Sequence, residues 1–134
     1  MALFILVLGI ELVLAFISYF VLHKLNLIKS LILLVIISSS IGLAGGWVAG
    51  YRSTAGYLLF NYWEQTNKQL QETRGSKMSN EESEQLYNKV MSNPEFYYLL
   101  HKNAATHSLP AFFIVFLIIL GFAKKQKKEQ TVAN

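Results

Sequence analysis

The sequence contains no cysteine and little charge, and each shortage excludes something. Without cysteine there is no disulfide, no thiolate nucleophile and no Cys-ligated zinc or iron–sulfur site. Only 15% of the 134 residues are charged, against about 25% in an ordinary soluble domain. Phosphate loop, dinucleotide fingerprint, nucleophile elbow and zincin motif are all missing. The short basic stretch near the end lacks the interleaved aromatics of a nucleic-acid-binding surface. No internal or inverted repeat is visible. The expectation is therefore a chain with no catalytic residue, no bound metal, no cofactor and no nucleic-acid partner.

What the sequence does have is apolar residues, 53% of the total. They are gathered into three blocks, at about residues 2–22, 31–50 and 104–123, instead of being spread at helical or strand period. A helix of ~20 residues rises about 30 Å, the thickness of a bilayer's hydrocarbon core. Backbone groups in lipid must satisfy one another, so each block is predicted to be a helix. The fold class is predicted as an all-α integral membrane protein, one membrane domain with three transmembrane helices. The first block is not expected to be a cleaved signal peptide. Met1-Ala2-Leu3-Phe4 has no positive region, and no small-residue cleavage site follows the apolar stretch.

Lysine and arginine placement predicts the orientation. Lys24 and Lys29 lie between the first two blocks, and Lys124, Lys125, Lys127 and Lys128 follow the third. With three spans these two segments share a face, predicted cytoplasmic. The same lysines would attract anionic headgroups. The segment 51–103 carries six basic and six acidic residues and balances to zero. It is predicted to be extracytoplasmic, with the start of the chain, in a plasma or inner membrane.

That segment reads as a small helical cap between the second and third spans. Tyr57, Phe60, Tyr62, Trp63, Phe96, Tyr97 and Tyr98 flank it, and such residues favour the membrane–water interface. Leu59, Trp63, Thr66 and Leu70 share a helix face that continues the second block and stops near Arg74-Gly75. Ser79-Asn80-Glu81-Glu82 has capping-box spacing and opens a second helix bearing Leu86, Tyr87, Val90 and Met91. Asn93-Pro94-Glu95 is a further start signal, for a short helix through Leu100.

Glu11 stands out because it is the one charge inside the blocks, about ten residues from either end of its own. An ionised carboxylate there costs on the order of 3 kcal/mol, and desolvation favours the neutral acid unless a cation or strong donors are near. Glu11, Ala15, Ser18 and Leu22 are predicted to share a packed helix face. Ser38, Ser39 and Ser40, midway along the second block, are candidate hydroxyl partners. Together these four residues form a candidate buried ionisable or proton site. The alternative is a protonated Glu hydrogen-bonded to a neighbouring hydroxyl, with no further role.

Gly42, Gly46 and Gly50 repeat at four-residue spacing behind Ser38. Such a glycine-zipper strip lets two helix backbones approach closely. Contacts within the chain are expected for part of the strip and contacts with another chain for the rest. His107 is a candidate ligand, but the three histidines fit haem or metal poorly. His23 lies at the opposite end of its block from the depth of His101 and His107, and those two are six apart. Ser108-Leu109-Pro110 suggests instead that His107 marks the start of the third helix.

Three functions follow as expectations. The first is a non-catalytic subunit or accessory and assembly factor of a membrane complex, its partners the lipid bilayer and other membrane subunits or itself. The second is a small homo-oligomeric channel or proton-linked transporter using Glu11. The third is a haem- or quinone-binding membrane anchor. The uncharged third block, which offers no hydroxyl from Ala111 to Ala123, tilts the reading toward the first.

Overall fold

Helix formation follows the apolar blocks and runs well past two of them. The computed structural model describes residues 1–26 and 30–133; Lys29, used above for orientation, lies outside the described residues. Four helices make up the described chain, with no strand among them: α1 (Ala2–Lys24), α2 (Leu31–Arg74), α3 (Asn80–Met91) and α4 (Pro94–Ala133). Three of these, α1, α2 and α4, are long and apolar enough to cross a membrane. The chain divides into two compact units. Unit 1 is Met1–Gly50 with the residues from Ala104 onward, and unit 2 is Tyr51–Asn103.

In unit 1 the buried positions follow helical spacing closely. On α1 they are Val7, Glu11, Ala15 and Tyr19, one every four residues. The predicted face passed through Ser18 and Leu22. Tyr19 is the fully buried member there, Leu22 packs half-buried against the core, and Ser18 returns its hydroxyl to the Leu14 carbonyl at 2.6 Å. On α2 Leu34, Val35, Ser38, Ser39, Gly42, Gly46 and Gly50 are buried, and on α4 Ala104, Ser108, Ala111, Val115, Ile119 and Ala123. The interior is thus built from small side chains over much of its length. Its larger members gather at one end, where Tyr19 packs with Leu34, Val35, Val115 and Ile119. Phe122 meets Phe16, Tyr19 and Phe20 edge-on there, at centroid distances of 5.3–5.9 Å. The large apolar side chains Ile5, Val13, Ile17, Ile32, Phe113 and Leu117 all point outward and are more than half exposed.

The sequence pattern gives a separate short helix to Leu100 and a third span from about residue 104. The structure corrects this: α4 is one helix from Pro94 to Ala133 with Pro110 inside it. Nothing in Leu100-His101-Lys102-Asn103-Ala104 breaks a helix, so propagation continues. Pro110 is exposed, and its missing N–H removes a single backbone bond from a long helix. The start is as the sequence implies. Asn93 is the cap, its Oδ1 accepting from the Glu95 N–H at 3.0 Å, and Pro94 occupies the first turn.

Unit 2 is assembled by rules familiar from water-soluble helices. Here α2 ends at Arg74, and Gly75 follows with φ +70°, a left-handed residue that glycine adopts without strain. Ser79 caps α3 with both capping-box bonds in place. Its hydroxyl accepts from the Glu82 N–H at 3.2 Å, and Glu82 Oε2 accepts from the Ser79 N–H at 2.9 Å. The other oxygen of Glu82 takes Arg74 at 2.8 Å, and Asn67 accepts from the Met78 N–H at 2.9 Å. Turn and cap are thereby tied to the end of α2. Beneath them Val90, Phe96 and Leu100 form a core, with Leu58, Leu59, Leu86 and Met91 packed on it.

Glu82 is held below its ordinary carboxyl range, first by the Ser79 backbone N–H and further by Arg74. A depressed folded value stabilises above the unfolded value and ceases to as pH falls through the folded one. Amide exchange over α3 in the full-length chain should therefore quicken as pH drops through the carboxylate range, after correction for intrinsic rates. Ser79→Ala should weaken the same turn by about 1 kcal/mol, read as lost protection at residues 80–83. Unchanged protection in that variant would show that the cap does not hold the helix.

Candidate functional site

Glu11 is placed by the four-residue repeat of α1, between Val7 and Ala15, and is wholly buried. The wall opposite it is α2 at its glycines. A Cβ built on Gly42 would lie 2.5 Å from the Glu11 backbone oxygen and 3.4 Å from the Ala15 Cβ. A Cβ on Gly46 would overlap the Glu11 side chain at Cγ and Oε1 and lie 2.6 Å from its Cδ. The carboxyl group therefore occupies the space that a side chain at position 46 would need. Gly50 is ordinary by comparison, with Ala104 Cα at 3.5 Å and Val7 Cγ2 at 3.6 Å. All three glycines of the strip meet neighbours within this chain.

The polar groups of this interior are under-satisfied. Neither Glu11 oxygen has a hydrogen-bond partner of acceptable geometry among the described residues, and the same holds for Ser39 Oγ and Ser108 Oγ. The Ser108 hydroxyl of α4 lies beside the Glu11 side chain without making a full hydrogen bond to it. The three serines of α2 separate. Ser38 is buried and donates to the Leu34 carbonyl at 2.8 Å. Ser39 is buried with its hydroxyl unpaired, and Ser40 faces outward. Each buried polar group left unmade costs about 1–3 kcal/mol. Chemically, a neutral carboxylic acid can donate to Ser108 and accept from it, whereas a carboxylate has no cation at hand.

Sequence reasoning missed Ser108, which lies at the edge of the third block and was read only as part of a helix start. Four-residue spacing from Ala104 places it on the buried strip, and that was the available signal. It also missed Tyr19, whose hydroxyl donates to Gln126 Oε1 at 3.2 Å and whose ring stacks on His23 at 5.9 Å. His107, next to Ser108, is half-buried on α4. In unit 2, His101 tilts against Tyr51 at 5.5 Å. Among the described residues no three of His, Asp and Glu converge as a metal site would require.

Unit 2 has its own concavity, about 250 Å³, between α2 and α3. Leu59, Phe60, Trp63, Leu86 and Tyr87 line it. Phe60, Trp63 and Tyr87 are each 44–58% exposed, an amphipathic surface of the kind found at membrane interfaces and protein contacts. Compared with known proteins, the chain matches no protein-family model, no curated protein and no solved structure.

The glycine geometry makes a sharp contrast. Gly42→Ala and Gly46→Ala should each destabilise unit 1 by about 1–3 kcal/mol, the usual range for overpacking. Gly9→Ala and Gly121→Ala should be neutral or mildly stabilising, because nothing lies within 4 Å of a Cβ there. Thermal melts of the four variants in one detergent check this. Equal midpoints across the set would mean that the close approach of α1 and α2 carries no weight.

Proposed function

We propose that the chain is an integral membrane protein that serves as a non-catalytic subunit or assembly factor of a membrane complex. In this reading α1, the first part of α2 and the apolar part of α4 cross the bilayer. Unit 2 is an extracytoplasmic cap, and the end of α4 is cytoplasmic with its four lysines.

The observation that carries the reading is the distribution of side-chain size in unit 1. Glycine, alanine and serine fill much of the interior, while Ile5, Ile17, Ile32, Phe113 and Leu117 face out. Water would drive the large aliphatics inward. Lipid tails and partner helices accept them, and helices then associate through close backbone packing. The apolar perimeter of so small a bundle offers partner helices a large area, and the exposed aromatics of unit 2 offer a second.

Glu11 supports this reading better than a transport pathway. Its side chain fits against Gly46, with Val7 and Ala15 above and below on α1. Along α4 the buried positions after Ser108 are Ala111, Val115 and Ile119, which offer an ion or proton no relay.

Affinity purification of the tagged chain in mild detergent should recover other membrane proteins in fixed stoichiometry. Glu11→Gln keeps the side chain's shape and should retain that recovery. A monodisperse monomer with no companion in native membranes would reject the subunit reading. In intact cells the lysines at 124–128 should resist added protease while residues 76–79 become cleavable. The reverse pattern would invert the proposed orientation.

A further inference from the structure

Where α1 ends, α2 begins and α4 leaves its apolar block, unit 1 opens into a cavity of about 320 Å³. Its floor is apolar, with Leu31, Leu34 and Ala123, and its rim is polar, with Gln126, Lys127 and Gln130. His23 and Asn26 close the α1 side. Asn26 has φ +51°, the left-handed turn that ends this helix. A second, shallower groove of about 500 Å³ shares Leu31 and Lys127 and adds Lys124 and Lys128.

The charge around these openings is lopsided. Lys125 is the lysine with a carboxylate in reach, Glu129 at 4.0 Å. Lys124, Lys127 and Lys128 make no ion pair among the described residues. Glu129 borders a neighbouring groove with His23, Gln126 and Gln130. Lys127 owes its place to the α4 repeat: it lies one turn beyond Ala123, the last member of the buried strip. It thus lines the opening together with Leu31, Leu34 and Ala123.

We propose that this cavity binds the headgroup of an anionic membrane phospholipid. Lys127 supplies the cation for the phosphate, the side-chain amides of Gln126, Gln130 and Asn26 supply donors, and an acyl chain lies along Leu31. An ammonium acts on phosphate as a point charge and needs no fork geometry. A free anion would have no use for the leucine floor, and an acidic peptide would carry its own backbone polar groups onto it. An amphiphile matches both parts, and this end of three apolar helices is where headgroups lie. The inference rests on the membrane reading above.

The test uses the full-length chain in phosphatidylcholine nanodiscs containing phosphatidylglycerol. Lipid retained after detergent extraction is identified by native mass spectrometry. Wild type should retain phosphatidylglycerol in preference to phosphatidylcholine. Lys127→Gln should lower that retention about fivefold, the effect of one basic group near the surface. Lys127→Arg should restore it, and Lys125→Gln, whose partner is Glu129, should change it little. Circular dichroism confirms that each variant is folded. Equal retention of the two lipids, or equal retention by Lys127→Gln, would overturn the headgroup site. Displacement by inorganic phosphate alone at matched ionic strength would make it a simple anion site and would also overturn the lipid assignment. Successful insertion with no lipid preference defeats the site alone, whereas failure to insert at all defeats the membrane reading beneath it.

Discussion

The interior of unit 1 depends on how closely α1 and α2 approach at Gly42 and Gly46. Two glycines one turn apart on α2 bring its backbone against Glu11, near enough that a methyl group at either position would collide. Close approach multiplies dispersion contacts, each only ~0.1–0.2 kcal/mol, over a long stretch of helix. It also sets the size of everything facing the same interior. Ala15, Ala104, Ser108 and Ala111 are small, and bulk returns only at the end occupied by Tyr19, Leu34 and Ile119. The bundle is therefore tight at the glycines and filled by larger side chains toward the lysine-bearing end, where the headgroup cavity opens.

The two units follow different physics within one chain. Unit 2 uses devices suited to water: a capping box, a glycine stop, the Glu64–Lys68 pair four residues apart, and an apolar core under charged faces. The carboxylate of Glu64 holds the Lys68 ammonium above its ordinary value, and with both side chains exposed the pair adds little stability. Unit 1 has the reverse arrangement, with small residues inside and large aliphatics outside. Composition averaged over the whole sequence blurs this contrast. Only its distribution along the chain separates the two.

Much of this was legible in the sequence because it is local. The three apolar blocks, the stop at Arg74-Gly75, the box at Ser79–Glu82 and the Asn93-Pro94 start each depend on residues within a turn or two of one another. The glycine repeat was equally visible. What escaped was set by distance along the chain. Ser108 meets Glu11 only because α4 returns beside α1, and no pattern in either block announces that meeting. The three serines of α2 looked like one cluster, yet a helix turns 100° per residue, so Ser40 faces away while Ser38 and Ser39 face in. The continuity of α4 was missed because Pro110 was read as a helix start. In a long helix one absent N–H is a small loss against the bonds on either side.

Glu11 is then the residue whose presence packing alone explains least. The slot beside Gly46 is long enough for an unbranched side chain, and methionine would fill it without a polar atom. Replacing an unsatisfied buried polar group by an apolar one of similar shape is often neutral or stabilising. Keeping a carboxyl there forfeits stability that the glycine contact itself provides. Ser39 and Ser108 repeat the sacrifice, each buried with its hydroxyl unpaired. A bundle optimised only for tightness would carry Ala at both serine positions and Met at Glu11. All three are buried without a hydrogen-bond partner of acceptable geometry among the described residues, so packing accounts for the space they fill and not for their polarity.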